Sequence, residues 1–283
     1  MFCISFSDNY HPVFPIAFVR FQRARGRGRA RGRFVFIKFQ LIYAAFMRFK
    51  EFLALYWLNL KVQKHNFVEY CKVIVRYYSN TAFAKTDLKL LSEYFLQNPF
   101  RISRDFLKGK IGGTDTATET EELYAYGETP LTTFGLITQK ANLKTIDTLY
   151  ELGCGRGRCC FWAHHFIGCK VVGIDFVPPF IQKASTVVQK RDLKGIEFRC
   201  EDFLLSDLTD ATAIYLYGTC YDAPFLKTLS KKLAKLPPAT LVISVSYPLT
   251  DYAPPNTFEV LHRFSAPFTW GEGDVYIQQK KYS

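Results

Sequence analysis

Three glycines at alternate positions follow an acidic residue in the stretch YELGCGRGRCC, where the pattern is Glu151-x-Gly153-x-Gly155-x-Gly157. A glycine-rich turn lets the backbone approach a ligand closely and points the amides of a following helix at it. The run lacks both the GK[ST] ending of a P-loop and the G-x-G-x-x-G spacing of a dinucleotide site. A phosphate-binding turn would avoid a carboxylate such as that of Glu151 beside its ligand.

Two further acids follow short apolar segments downstream. Asp175 ends KVVGID, 18 residues after Gly157, and Asp202 with Phe203 lies in CEDFL, directly after IEFR. A single aspartate at a strand end is an ordinary turn residue. Three acidic positions after three successive strands instead predict one ligand site, because the carboxyl ends of parallel strands meet at one edge of a sheet.

The elements that must position these residues alternate between strand and helix. Strands are predicted at 147–152, 170–175, 196–199, 213–217 and 240–246, and helices at 158–166, 179–190 and 224–236. This rhythm predicts an α/β fold with a doubly wound, Rossmann-like sheet. The segments TFEVLHRFSA and DVYIQQKK have no helix between them, so we expect an antiparallel hairpin to complete a seven-stranded sheet.

The motif set resembles that of the class I S-adenosylmethionine (SAM)-dependent methyltransferases. The resemblance implies that Glu151 and the three glycines face the methionine end of the cofactor, which carries an ammonium and a sulfonium. It also implies that Asp175 accepts hydrogen bonds from both ribose hydroxyls, which suits a carboxylate. Asp202 would accept from the adenine amino group, and Phe203 would lie against the adenine ring. Arg156 and Arg158 are expected to be incidental to cofactor binding.

Within that class, the segment YGETP (Tyr126–Pro130) resembles the Dot1-like branch, whose best-known members methylate protein lysine. The similarity covers about residues 126–249. It implies that Glu128 and Thr129 line the cofactor near its amino-acid end, with Glu128 also a candidate proton acceptor. The branch has paired asparagines after the fourth strand, and this chain has YGTCY there instead.

The aromatic residues of that stretch are the candidates for contact with the methyl acceptor. We expect Tyr217 and Tyr221 to wall the transfer channel, with Phe225 nearby, because rings can flank an amine or stack on a base. Methyl transfer from a sulfonium needs alignment and exclusion of water more than a strong base. The predicted acceptor is a protein amine, and an RNA or small-molecule acceptor stays open.

The net charge of +12 is unevenly placed, which bears on a nucleic-acid function. Residues 1–46 carry +7, mostly from RARGRGRARGR, and the remaining 237 residues carry +5. A rival hypothesis is therefore a nucleic-acid-binding protein that acts through this tail and has an inert methyltransferase fold. The tail could also be a targeting segment, or could precede a true start at Met47.

Composition and spacing set the remaining expectations. Residues 1–46 are predicted to be a basic, disordered tail, residues 47–125 a helical region that ends near Pro99 and continues into a polar linker at 109–122, and residues 126–283 the methyltransferase domain. Eight cysteines without a CxxC pair indicate free thiols and a reducing, cytoplasmic setting. No spacing indicates a metal site, and no apolar run is long enough for a membrane span.

Overall fold

Seven strands of the described residues form one mixed sheet. The computed structural model describes residues 67–111 and 126–282, with a few single helical positions before residue 67. From Val68 onward these residues form one compact unit, to which the description below refers. The strands are β1 (Thr148–Leu152), β2 (Lys170–Asp175), β3 (Ile196–Cys200), β4 (Ala213–Leu216), β5 (Leu241–Val245), β6 (Phe258–Phe268) and β7 (Gly271–Lys280).

The strand order is β3-β2-β1-β4-β5-β7-β6. The first five strands are parallel. Strand β7 runs antiparallel to both β5 and β6, so β6 and β7 form a hairpin at one edge. The order reverses between β1 and β4, and ligands bind at such a reversal, outside the carboxyl ends of the strands. The turn Gly153–Gly157 and the residues after Leu216 both lie at that edge of the sheet.

Six helices with defined ends precede or connect these strands in the described part of the chain. They are α1 (Thr81–Glu93), α2 (Pro99–Ile111), α3 (Leu131–Lys140), α4 (Arg158–Phe166), α5 (Pro178–Lys190) and α6 (Ala223–Leu233). Residues 68–77 are also helical. Two helices begin with side-chain caps, since Asn80 accepts from the Phe83 amide and Asp222 accepts from the Phe225 amide.

Helices cover the parallel part of the sheet on both faces. Helices α4 and α5 lie on one face, α1 packs against both of them, and α3 packs against α4. The core on this side contains Phe83, Phe134, Phe161 and Phe180, all about 1% exposed or less. On the other face, leucines of α6 pack against the strand residues of a second core cluster. The fold is therefore the predicted doubly wound arrangement with a terminal hairpin.

The strands and connecting helices predicted from residue 147 onward are confirmed to within a few residues at each end. Two helices were wrong or missing in the prediction. Pro99 begins α2 instead of ending the helical run, because proline fits the first turn of a helix, where its missing amide costs nothing. That helix also takes the first residues of the predicted linker, and α3 was not predicted.

The predicted tail at 1–46 and the rest of the predicted linker, 112–122, lie outside the described residues. In the described part of the chain, every helix is too short or too polar to cross a membrane.

Candidate functional site

The glycine turn after β1 is held in place by strand β2. Gly153, Gly155 and Gly157 have φ values of 76°, 51° and 75°, a region that disfavours side chains. The amides of Gly153 and Cys154 both donate to the Ile174 carbonyl, at 2.8 and 3.0 Å. The turn is therefore anchored to the neighbouring strand before any ligand contacts it.

Asp175 completes this anchorage. Its Oδ2 accepts from the Gly155 amide at 2.8 Å, and its Oδ1 accepts from the Val177 amide at 2.9 Å. Burial raises the pKa of Asp175 to about 6, and the amide donors oppose that rise. The Phe176 amide also stabilises the ionised form of Asp175, and the role predicted for Asp175 toward two ribose hydroxyls stays a prediction.

The three glycines meet different neighbours. A Cβ on Gly155 would lie 2.7 Å from the Tyr126 ring, and a Cβ on Gly157 would lie 2.2 Å from the Phe198 ring. A Cβ on Gly153 would meet only the Tyr221 hydroxyl, at 3.7 Å. Two glycines thus make room for aromatic side chains of this chain, and Gly153 is the one with open space for a ligand.

Glu151 lies under the turn, at the end of β1, and is 7% exposed. The Cys160 thiol donates to its Oε2 at 2.9 Å. Burial is the main cause that raises the pKa of Glu151 to about 8; the carboxylates of Glu128 and Asp175 add to the rise, and hydrogen bonds from Cys160 oppose it. A carboxyl group whose ionised form is so poorly stabilised gains strongly when a cationic ligand binds beside it.

Glu128 is engaged by the turn itself. Arg156 donates from Nε and Nη2 to the two oxygens of Glu128, both at 2.5 Å, and the Tyr126 hydroxyl also donates to Glu128. The low-dielectric surroundings would raise the pKa of Glu128, but the Arg156 guanidinium outweighs them and holds it at about 2. Glu128 is a poor proton acceptor for this reason, which disfavours the catalytic part of its predicted role.

The other predicted cofactor residues differ in their surroundings. The Thr129 hydroxyl is buried against the Tyr215 hydroxyl at 2.5 Å. Asp202 is exposed, and its Oδ1 accepts from the Leu204 amide at 2.9 Å, which shapes the turn after β3. Phe203 is 7% exposed, in the core cluster below that turn.

An outer group of rings extends from β4 to the terminal hairpin. Tyr217 stacks on Phe268 with ring centroids 5.6 Å apart, and Phe268 stacks on Trp270 at 5.4 Å. The Trp270 indole donates to the Tyr217 hydroxyl at 2.8 Å. Burial raises the pKa of Tyr217 to about 12, so its phenol is neutral near pH 7.

An inner group of rings lies on the other side of the same strand end. The Tyr221 ring centroid is 4.4 Å from that of Phe225 and 6.3 Å from that of Phe203. Tyr217 and Tyr221, the two predicted channel residues, therefore belong to separate aromatic groups that flank the end of β4. Among the members of these groups, Trp270 and Phe268 were missed, because they are distant in sequence and belong to the hairpin.

The helical region before the sheet supplies side chains that the sequence analysis also missed. Arg158 forms a two-pronged ion pair with Asp87 of α1, at 2.8 and 2.7 Å, and Asp87 is 1% exposed. The Arg156 guanidinium lies over the Tyr94 ring, 5.2 Å from its centroid. Both arginines of the glycine turn thus have defined partners. The sequence signal for the Arg158–Asp87 pair was an aspartate on the apolar face of a predicted helix.

Part of the chain is similar to methyltransferases. Residues 151–256 match the family model described as the ANTKMT methyltransferase domain. No curated protein sequence matches the chain significantly.

Solved structures similar to this chain include an RNA methyltransferase from Salinibacter ruber in complex with S-adenosyl-L-homocysteine. It is 25% identical, with 55% of this chain and 95% of that one covered and a TM-score of 0.47. A geranyl diphosphate C-methyltransferase from Streptomyces coelicolor A3(2) is 12% identical, with 54% and 76% covered and a TM-score of 0.45.

The residues present fit the cofactor that the sequence predicts. Glu151 is a buried carboxyl beside an open glycine, which suits an ammonium, and Asp175 has lone pairs for hydroxyl donors. The Tyr94 hydroxyl, near Glu128 and Asp175, is buried without a hydrogen-bond partner among the described residues. In the described ranges, no cluster of three or more His, Cys, Asp or Glu could hold a metal ion.

Proposed function

We propose that this chain, a SAM-dependent methyltransferase, transfers the methyl group to an amine of a protein, most simply a lysine side chain. The observation that carries the proposal is the pair of aromatic groups that flank the carboxyl end of β4. A lysine can extend a long, thin alkyl chain between such rings, and the rings stabilise an ammonium group by cation–π interaction.

The channel also addresses the protonation problem of a lysine acceptor. A lysine amine in water has a pKa near 10.4, and only its neutral form is a nucleophile. Between rings and away from water, the charged form loses hydration, so the pKa of the amine falls. The amine then loses its proton to solvent, and neither Glu128, with its low pKa, nor the neutral phenol of Tyr217 needs to accept it.

Bound S-adenosylmethionine supplies a methyl group that is already activated by its positive sulfur. Glu151 and the turn around Gly153 orient the methionine end, and the two ring groups align the amine opposite the methyl. The amine nitrogen forms a bond to the methyl carbon as the sulfur–methyl bond breaks. The nitrogen takes over the positive charge that the sulfur loses, so the product is a methylammonium without any further proton, and the rings stabilise that charge.

Charge supports a protein acceptor over RNA. Nucleic-acid affinity depends on clustered positive charge, and the 237 residues after position 46 carry a net charge of only +5. The residues between Tyr217 and Tyr221 are glycine, threonine and cysteine, which offer no positive charge for a phosphate backbone.

A labelling experiment tests the acceptor class. The purified chain is incubated with tritiated SAM and a heat-treated cell lysate, whose own methyltransferases are inactive. The label should be lost after protease digestion, persist after ribonuclease digestion, and appear in methyl-lysine after acid hydrolysis. The Asp175→Ala variant serves as the inactive control. Label that disappears with ribonuclease, or that stays in the small-molecule fraction, would overturn the protein acceptor.

A further inference from the structure

The tip of the terminal hairpin carries an exposed tryptophan that reaches back to the end of β4. Trp270 is one of the two residues that join β6 to β7, and it is 39% exposed. Its ring lies over that of Phe268, which is 1% exposed, with the two ring planes 5° apart. The tip therefore presents an indole at the surface, stacked on a ring of the core.

Gly273 on β7 makes room for this arrangement. A Cβ at this position would lie 2.5 Å from the Trp270 ring and 2.9 Å from the Phe268 ring, so any side chain here would displace the indole. The Thr133 hydroxyl of α3 also donates to the Pro267 carbonyl, which ties the end of β6 to that helix. The place of the indole is thus set by the backbone of the hairpin as well as by its own rotamer.

The Tyr217 ring is held from three directions beside the hairpin. It stacks on Phe268 with ring planes 19° apart, and a Cβ on Gly127 would lie 3.0 Å from its edge. The third contact is the hydrogen bond from the Trp270 indole to its hydroxyl, at 2.8 Å. The ring has little freedom to turn, and Trp270 fixes the position of its hydroxyl oxygen.

The bond from Trp270 also determines how the Tyr217 hydroxyl can act. An indole nitrogen only donates, so the hydroxyl oxygen accepts in this bond and its own O–H must point elsewhere. Among the described residues, none accepts a hydrogen bond from that O–H. A hydroxyl fixed in this way is a donor that is oriented in advance for another molecule.

The hydrogen bond between Trp270 and Tyr217 lies at the exposed end of the outer group of rings. In the proposed function, a lysine side chain enters between the two ring groups, and the main chain of the substrate stays at the surface. Every residue of a protein carries a main-chain carbonyl, which accepts hydrogen bonds. The exposed end of the ring group thus offers a donor where such a carbonyl would lie.

We propose that Trp270 is a positioning residue for the methyl acceptor, because it directs the Tyr217 hydroxyl to donate to a main-chain carbonyl beside the acceptor lysine. This inference rests on the proposed function, which places the acceptor between the ring groups. It adds a second requirement to that function. The substrate must offer an oxygen at the mouth of the channel as well as an amine inside it.

Two changes at position 270 separate the N–H donor from the ring. Trp270→Phe keeps a ring on Phe268 but loses the donor. Trp270→His loses part of the stack but keeps an N–H, since the imidazole Nε2 takes the place of the indole nitrogen in a five-membered ring. The initial rate of tritium transfer from SAM to heat-treated lysate protein, at low lysate concentration and about pH 8.5, gives a relative kcat/KM with a neutral imidazole. Trp270→Phe should lower it about fivefold, and Trp270→His should stay within about twofold of the wild type.

A double-mutant cycle tests whether Trp270 acts through Tyr217. Tyr217→Phe removes the hydroxyl and should also lower kcat/KM about fivefold. The double variant should lose about fivefold instead of about 25-fold, because both changes break one chain of hydrogen bonds. Tyr276→Phe is the matched control on β7, since its hydroxyl donates to Asp274 within the hairpin, and it should keep the wild-type rate. Every variant should bind S-adenosylhomocysteine within about twofold of the wild type by calorimetry, which also verifies that it is folded.

Three results would overturn the positioning role. Trp270→His as slow as Trp270→Phe would show that the stack matters and the donor does not. Losses that multiply in the double variant would show that Trp270 does not act through Tyr217. A wild-type rate in Trp270→Phe would remove Trp270 from the site. Each of these differs from failure of the proposed function, which appears in the wild type itself as label that is lost with ribonuclease or stays in small molecules.

Discussion

The proposed cofactor half and the proposed acceptor half of the site are built from different kinds of interaction. Around the glycine turn, Glu128, Arg156 and Asp175 are fixed by ion pairs and backbone hydrogen bonds. Around the end of β4, the contacts are mainly between rings, with the indole–phenol bond of Trp270 and Tyr217 as the exception.

The difference follows from what each half must bind. A cofactor has one fixed charge pattern, so charged groups held in advance lose little on binding. An acceptor amine must give up its charge and regain it, and rings stabilise a cation without holding a fixed counter-charge beside it. Changes in the first half should therefore alter cofactor affinity, and changes in the second should alter turnover alone.

The largest expected effect is that of Asp175→Ala. This change removes the acceptor for two backbone amides and loosens the turn, so we expect the affinity for S-adenosylhomocysteine to fall about 100-fold or more, measured by calorimetry. Asp147→Ala is a matched control, because Asp147 accepts from the Lys144 amide and the Thr212 hydroxyl before β1, away from the turn. Unchanged affinity in Asp175→Ala would contradict the assignment of the cofactor site.

A smaller and different effect is expected in the acceptor half. Tyr217→Ala removes the ring that stacks on Phe268 and accepts from Trp270, so kcat/KM for the protein substrate should fall about 10- to 100-fold. The Kd of S-adenosylhomocysteine should stay within about twofold, because this ring makes none of the contacts that hold the turn. Tyr150→Phe, which removes a hydroxyl bonded to Asp210, should change neither quantity. If Tyr217→Ala lowered the affinity for S-adenosylhomocysteine as much as it lowered kcat/KM, the two halves would not be functionally distinct.

The smallest expected effect is the pH dependence of Glu151. Its pKa of about 8 means that the free protein must release a proton before an ammonium binds beside this side chain. The affinity for S-adenosylhomocysteine should therefore rise about eightfold between pH 7 and 8.5 in the wild type, and Glu151→Gln should bind more weakly with a flat profile. A flat wild-type profile would remove Glu151 from the ammonium site.

The raised pKa of Glu151 also predicts how the free energy of unfolding changes with pH. The folded protein binds the Glu151 proton more tightly than the unfolded chain does, since its pKa rises from 4.5 to about 8 on folding. Between these two values the free energy of unfolding therefore decreases as the pH rises. In urea unfolding, the free energy of unfolding of Glu151→Gln should increase relative to that of the wild type as the pH goes from 5 to 8. Saturating S-adenosylhomocysteine should make this relative increase smaller.

Much of the fold and of the cofactor half could be predicted because the signals are local. Position at the ends of apolar strands made three features predictable, namely Glu151, the three glycines and Asp175. A parallel sheet brings those strand ends together. Helix α4 was predicted with the bounds it has, because an apolar face follows directly after a glycine turn. Helices α2 and α3 were missed because proline was taken only as a helix breaker and because α3 lies just before the strand pattern begins.

The sequence by itself determined the class of fold, the glycine turn and the acids around it, since each depends on residues a few positions apart. Only the tertiary structure decided which side chains complete the site. Asp87 meets Arg158 across 71 residues, and Trp270 meets Tyr217 across 53. The Arg156 guanidinium and the Tyr94 ring that it lies over likewise come from separate elements. Such pairs leave no periodic signal, because packing of α1 and of the terminal hairpin against the sheet, rather than local spacing, brings them into contact.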